Sequence, residues 1–205
     1  MRKIPTLFVR DPRDMRYVTR EVHPDCKWVL DGEGTATRKY DGTCVMLDLA
    51  GEWWARREVK PGKHAPAGFV QVEHDRLTGK TVGWEPIGQS AFVKYHAQAV
   101  DSHVERRTGY PAFLAGTYEL CGPKINGNPE DYTRHLLVRH ADAEPLDLTE
   151  DGPGPYSVDE IVSMVRWVGE RGWEGIVWHH PDGRMAKLKR RDFPQEPGRP
   201  EPSDV

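Results

Sequence analysis

No apolar run in this chain approaches the length of a membrane span. The opening residues, MRKIPTLFVRDPRD, lack the apolar core of a secretory signal, so a cytoplasmic location without membrane partners is expected. Cysteine is scarce. Cys26, Cys44 and Cys121 are widely spaced, which fits neither a disulfide framework nor a Cys-x-x-Cys zinc site and leaves three reduced thiols. An excess of basic charge is also missing. The formal net charge is −3, whereas a generic nucleic-acid binder is usually basic, so bulk charge gives no support to a polyanionic partner. There is no internal repeat. What is present is a chain of 205 residues, 37% hydrophobic and 30% charged, long enough for one globular domain with a substantial core.

Local charge is less even. Arg2, Lys3, Arg10, Arg13, Arg16 and Arg20 crowd the first twenty residues against Asp11 and Asp14, and Lys187, Lys189, Arg190 and Arg191 form a second cluster. Each reads as a solvated face unless chemistry elsewhere calls for a polyanion. From Phe193 the chain reads FPQEPGRPEPSDV, whose proline density and lack of apolar residues mark a disordered tail. One domain is therefore expected over residues 1–192, with the tail at 193–205. Gly, Pro and Asn mark loops at 122–132 and 150–157. Ser157 and Glu160 have capping-box spacing, and Ile161, Val162, Met164, Val165 and Val168 recur at helical spacing up to Gly172. Residues 44–50 and 52–58 read as strands paired across Gly51, and residues 113–120 as another. Residues 174–180 and 184–191 flank the turn Pro181-Asp182-Gly183. Short strands, hairpins and a few helices predict an α+β fold rich in antiparallel sheet.

The chemistry lies in a few residues. Lys39-Tyr40-Asp41-Gly42 alone is a weak signal, because Asp-Gly is a common turn and a lone lysine is usually solvated. Two features downstream raise its weight. In a strand over MAKLKRR, Lys187 and Lys189 share one face while Ala186 and Leu188 share the other. Two ammonium groups on one face repel unless an anion lies between them, although lysines on an edge strand also deter aggregation. Glu174 opens the partner strand of that hairpin, and Glu119 begins a similar pattern in GTYELCG. These carboxylates serve a metal, hydroxyl groups or surface ion pairs. The set holds the parts of covalent nucleotidyl transfer. A lysine amine must be neutral to attack, the phosphate under attack needs fixed positive charge, and magnesium favours one or two carboxylates together with phosphate oxygens.

On these residues the sequence resembles the covalent nucleotidyltransferase superfamily of ATP-dependent ligases and mRNA-capping enzymes. Lys39-Tyr40-Asp41-Gly42 is similar to the first motif, and the resemblance implies that Lys39 becomes adenylylated. Arg56 in WWARRE is similar to the arginine that follows it and contacts the nucleotide. Glu119 in TYELCG is similar to the ribose-holding acid of the third motif. Glu174-Gly175-Ile176-Val177 is similar to the fourth, whose glutamate serves metal or nucleotide. Lys187-Leu188-Lys189 is similar to the fifth, whose lysines grip the α-phosphate. Arg38 stands where several family members carry an acidic residue and is counted, with Asp41, in the nucleotide-binding set. Residues 30–192 more closely resemble the vertebrate-type 5′-to-3′ RNA ligase family and its bacterial and phage relatives. EGIVWHHPDG, ELCGPKINGNP, HLLVRHADAEPL, WARREVKPG and TVGWEPIG carry that likeness.

The resemblance implies a nucleotidyltransferase fold of antiparallel sheets flanked by helices, with no room for the OB-fold domain of DNA ligases and capping enzymes. It also implies ATP, Mg2+ or Mn2+, and RNA bearing 5′-phosphate and 3′-hydroxyl ends. Rival readings are a GTP-using guanylyltransferase, a non-catalytic RNA-end-binding module on a ligase fold, and an end sensor that adenylylates without sealing. Tyr132 and His135 are candidates to stack on adenine and Trp84 to stack on a base, against the ordinary alternative of packing. His179-His180 is expected to be structural or solvated.

Overall fold

The computed structural model describes residues 2–76, 78–104, 113–148 and 154–194. In chain order the elements begin with β1 (Phe8–Asp11), β2 (Asp14–Val22), α1 (Lys27–Leu30), β3 (Thr35–Lys39), β4 (Thr43–Leu47) and β5 (Trp53–Val59). There follow β6 (Val70–His74), β7 (Thr81–Pro86), α2 (Val93–Val104), β8 (Gly116–Cys121) and β9 (Leu136–Arg139). The last are α3 (Val158–Glu170), β10 (Gly175–His179) and β11 (Met185–Lys189). The strands pair antiparallel, so the α+β, antiparallel expectation holds. Among the described residues no helix is long and apolar enough to cross a membrane.

The chain forms two compact units, and the boundary of one segment falls between Lys39 and Tyr40. The first, here the lysine unit, comprises Ile4–Lys39 and Glu144–Val205. Its three-stranded sheet has the order β11-β10-β3. Alternation sets one face of that sheet inward: Ala186 and Leu188 of β11 and Ile176 and Trp178 of β10 are buried. They pack with Ile161, Val165 and Val168 of α3 and with Leu7, Phe8 and Val29. The helix begins as its sequence predicts. Ser157 accepts from the Glu160 amide at 3.2 Å, and Glu160 accepts from the Ser157 amide at 2.7 Å. Gly172, at φ +74°, ends it. The outer edge of β11 is covered by residues 5–7: Leu7 N–H donates to the Lys187 carbonyl, and Lys187 N–H to the Pro5 carbonyl. Phe193, the first residue of the expected tail, packs edge-on against Phe8 at 6.3 Å. Residues 195–205 of that tail lie outside the described residues.

Four arginines of the N-terminal cluster, Arg10, Arg13, Arg16 and Arg20, are paired within the same unit. Arg13 and Arg16 pair with Asp11 and Asp14, Arg20 with Asp159, and Arg10 with the buried Asp192 at 2.9 Å. The ordinary alternative holds for these arginines, because each positive charge has a carboxylate at hand. His180 likewise bonds Glu33 and Asp182, and His179 meets the Thr37 hydroxyl.

The second, here the sheet unit, comprises Met1–Lys3 and Tyr40–Ala143. Its six strands have the order β6-β7-β5-β4-β8-β9. One face packs Val45, Ala55, Tyr118 and Leu120 with Ala99 of α2 and Ile125. The β4–β5 hairpin turns at Gly51, φ +86°, where its sequence expects it. His96 of α2 lies 5% exposed in this core, its ring 4.5 Å from that of Trp53. Burial holds its imidazole down to about 4 from an ordinary 6.5. Between those values the unfolded chain takes up a proton that the folded unit refuses. Stability is therefore full above pH 6.5 and falls as pH drops towards 4, by about 3 kcal/mol. Urea unfolding at pH 7.5 and pH 4 should show that extra loss in the wild type and not in His96→Leu.

Candidate functional site

The register of the lysine unit explains how its charges converge. Gly175 of the central strand β10 lies opposite Lys39 on one side and Lys189 on the other. Directly opposed residues share a face, so both lysines flank a residue without a side chain. A Cβ at Gly175 would meet the Leu188 carbonyl oxygen at 2.2 Å, which makes the position glycine's. One step along, Val177 lies opposite Thr37 and Lys187, which puts Lys187 on the same face. This is the face away from α3.

Glu174 precedes Gly175, and its carboxylate meets both lysines. Its side chain is 6% exposed, and one oxygen lies 2.5 Å from Lys39 Nζ while the other accepts from Lys189 Nζ. Arg191 stands 3.5 Å off. The two lysine side chains are themselves only 17% and 15% exposed. Burial pushes the Glu174 carboxyl up, but the charges of Lys39 and Lys189 outweigh it and hold the group ionised below the ordinary value. Burial pushes Lys189 down, against the pull of Glu174 and with the repulsion of Lys39. Asp192, 3% exposed, accepts from the Lys189 amide at 2.8 Å and so fixes the end of β11. Sequence reading missed Asp192.

Four cations thus share a face or a partner with a single carboxylate. Two ammonium groups and one carboxylate, largely removed from water, leave net positive charge that an anion would complete. Glu174 was expected as a metal ligand. Its oxygens face ammonium groups instead, and among the described residues no cluster of three His, Cys, Asp or Glu side chains suits a metal ion. In this structure Glu174 is the counter-ion of the lysines; magnesium, which needs only one or two carboxylates beside phosphate oxygens, is not a three-ligand case. Arg38 was counted with the nucleotide set but lies in the opposite alternation from Lys39. Its guanidinium sits over the Trp173 ring at 4.4 Å, on the core side of the sheet.

The sheet unit gathers the other expected residues. Glu119 on β8 lies opposite Cys44, and Arg56 on β5 opposite Trp84. Continuing the Val45–Ala55 pairing by one residue sets Cys44 beside Arg56, so Glu119 and Arg56 belong to one row on one face. Both Glu119 oxygens are used. One accepts from the Gly42 amide at 3.1 Å and the other meets His140 Nε2 at 2.9 Å. His140 Nδ1 in turn meets the Thr117 hydroxyl. The Asp41 amide donates to Glu130 at 2.8 Å, and Asn126, at φ +49°, donates from Nδ2 to the Asp41 carboxylate and the Gly42 carbonyl. The loop expected at 122–132 therefore clamps the Asp41-Gly42 turn. Asn126, Glu130 and His140 were not singled out from sequence, since each acts across 84 or more, or 21, positions of chain in contacts no local pattern announces.

Gly42 has no room for a side chain. A Cβ would lie 2.4 Å from the Leu120 carbonyl oxygen. Gly42→Ala should lose about 1–3 kcal/mol, read as a lowered urea midpoint at unchanged slope. The stacking candidates fare differently. His135 is 8% exposed and stacked on Tyr95 at 4.8 Å, and Trp84 is 4% exposed with Arg56 over its ring at 5.9 Å. Both are packing residues. Tyr132 is half-buried in the clamping loop.

The class that fold and site define is an α+β protein with a lysine set around a buried carboxylate. No family model matches the chain. It is similar to RNA ligase 1 of Danio rerio, 26% identical over 218 residues that cover 76% of this chain and 66% of that protein. It is similar also to RNA ligase 1 of Rattus norvegicus, 25% identical, and of Pongo abelii, 24% identical, over 76% and 75% of this chain. The relationship to these RNA ligases is a distant one. The chain spans 65–66% of their length.

Proposed function

We propose that the protein is an ATP-dependent RNA ligase that joins 5′-phosphate and 3′-hydroxyl ends through a lysyl-AMP intermediate on Lys39. The observation that carries this reading is the convergence of Lys39 and Lys189 on buried Glu174, with Lys187 on the same sheet face. The distant likeness to proteins named RNA ligase 1 supports the choice of RNA.

In this reading Glu174 keeps Lys39 paired and ordered in the resting protein. A nucleotide's phosphates supply an alternative anion for Lys187 and Lys189, and they release Lys39 from its partner. Lys39 then gives up its ammonium proton to solvent water, and the neutral amine attacks the α-phosphorus. The N–P bond forms, the bond to the β-phosphate oxygen breaks, and pyrophosphate leaves. Lys187 and Lys189 balance the charge gathering on the α-phosphate oxygens. AMP passes next to the 5′-phosphate of RNA, and a 3′-hydroxyl displaces it to form the phosphodiester. Asp41, Arg56 and Glu119 are assigned nucleotide contacts by the resemblance. Mg2+ or Mn2+ is a cofactor of the proposal, with Glu174 the carboxylate that would serve it.

Incubation with α-labelled ATP or GTP tests it. ATP should label the protein in preference to GTP, and the labelled protein should seal 5′-phosphate RNA. Preference for GTP would favour a guanylyltransferase. Labelling without sealing would favour an end sensor.

A further inference from the structure

We propose that Arg38 is a positioning residue, one that sets the nucleophile through Trp173 rather than by touching the nucleotide. This rests on the reading of Lys39 as the nucleophile. Arg38 immediately precedes Lys39 on β3, and Trp173 and Glu174 are the two residues that lead into β10 at Gly175. Their side chains meet on the core side, guanidinium carbon to ring centroid 4.4 Å, within cation–π range. The next residue of each segment forms the Lys39–Glu174 pair at 2.5 Å, and Lys39, opposite Gly175, lies on the other side of the sheet from Arg38. The two contacts are successive clasps between the same two chain segments, one on each face of the sheet.

The inner clasp is itself anchored. Trp173 packs on the core and lies 6.1 Å edge-on from Trp167 of α3. The backbone at Arg38 is held from both sides: it lies opposite Ile176 in the ladder, and its amide donates to the Glu144 carbonyl at 2.9 Å. An apolar residue at 38 would keep the ladder and lose the grip on Trp173. The Trp173-Glu174 segment, which precedes the β10 ladder, would then shift against Lys39. Misplacement of about 1 Å at a reacting group costs on the order of 100-fold in rate.

The test uses R38M, R38K, W173L, W173F and the double variant R38M/W173L, each with single-turnover adenylylation followed against ATP concentration. R38M and W173L should each slow the maximal rate by about 10- to 100-fold with little change in the ATP concentration at half-maximum. R38K and W173F, which keep a cation and a ring, should restore most of the rate. The double variant should be no slower than the worse single, since both remove one contact. A contact between Arg38 and the nucleotide would instead raise the half-maximal ATP concentration and leave W173L near wild type; that outcome overturns the proposal. Amine-selective acylation of Lys39, mapped by mass spectrometry without nucleotide, gives a second readout. It should differ between wild type and R38M, and unchanged Lys39 reactivity counts against the clasp. Absence of ATP labelling in wild type would remove the nucleophile reading instead, and leaves the acylation comparison to decide the role of Arg38.

Discussion

Lys39→Ala is expected to fold normally, to take no covalent label from α-labelled ATP, and to fail to seal 5′-phosphate RNA. Folding survives because Glu174 keeps Lys189, whose Nζ donates to it directly, so no buried carboxylate is left without a cation. Labelling fails because the N–P bond has no nitrogen to form on. Lys187 and Lys189 lie on the same sheet face, but in the proposed reaction they hold phosphate charge and do not replace Lys39. The same variant should still seal RNA whose 5′ end already carries AMP. That last step takes its leaving group from the RNA, and needs the phosphate-binding lysines rather than the nucleophile. Gel assays with the two RNA substrates separate the steps. Label retained by Lys39→Ala contradicts the assignment.

Glu174→Gln is expected to damage stability and activity together. The carboxylate is 6% exposed and faces two largely buried ammonium groups. Removing its charge leaves them uncompensated, which costs about 3–5 kcal/mol for a broken buried pair. Labelling should fall about 100-fold, the scale of losing one fixed electrostatic partner. The pH dependence has a definite sign. The folded carboxyl is held below the 4.5 of the free side chain, so its stabilisation is complete above pH 4.5 and is lost as pH falls through the lower folded value. The wild type should lose that increment in acid, and E174Q should have lost it already at pH 7. Adding Lys189→Met should recover part of the stability, because it removes one orphaned charge. Strict additivity of the two losses would mean that the pair does not act as a unit. Urea titrations at pH 7 and pH 4 read all of these outcomes.

Much of this was legible locally. The Ser157/Glu160 box, the Gly51 hairpin and the Pro181-Asp182-Gly183 turn are short-range signals, and each marks the element it should. Alternation in MAKLK assigned Lys187 and Lys189 to one face before the strand was seen, because period two is a property of the backbone. The same rule, applied to TATRK, separates Arg38 from Lys39. It was not applied because the segment carries no run of apolar residues to mark it as a strand. β3 exists through its ladder with β10, a partner some 140 positions away. Asp11–Arg13 and Asp14–Arg16 were within reach of the sequence too, as i, i+2 pairs that neutralise two arginines of the cluster. The counter-ion role of Glu174 was not legible. Proximity to lysines suits a metal ligand and an ion pair equally, and only burial between two ammonium groups separates them. Asn126, Glu130 and His140 were out of reach for the same reason: their partners are set by the fold of the sheet unit.

The central claim is that Lys39 carries AMP. Its most direct measurement is peptide mapping by mass spectrometry after incubation of the intact protein with ATP and a divalent metal. The account predicts an acid-labile adenylyl adduct on the peptide containing Lys39, which is discharged by pyrophosphate or by RNA with a 5′-phosphate. An adduct on Lys187, Lys189 or any other residue, or a folded protein that never acquires one, would contradict it.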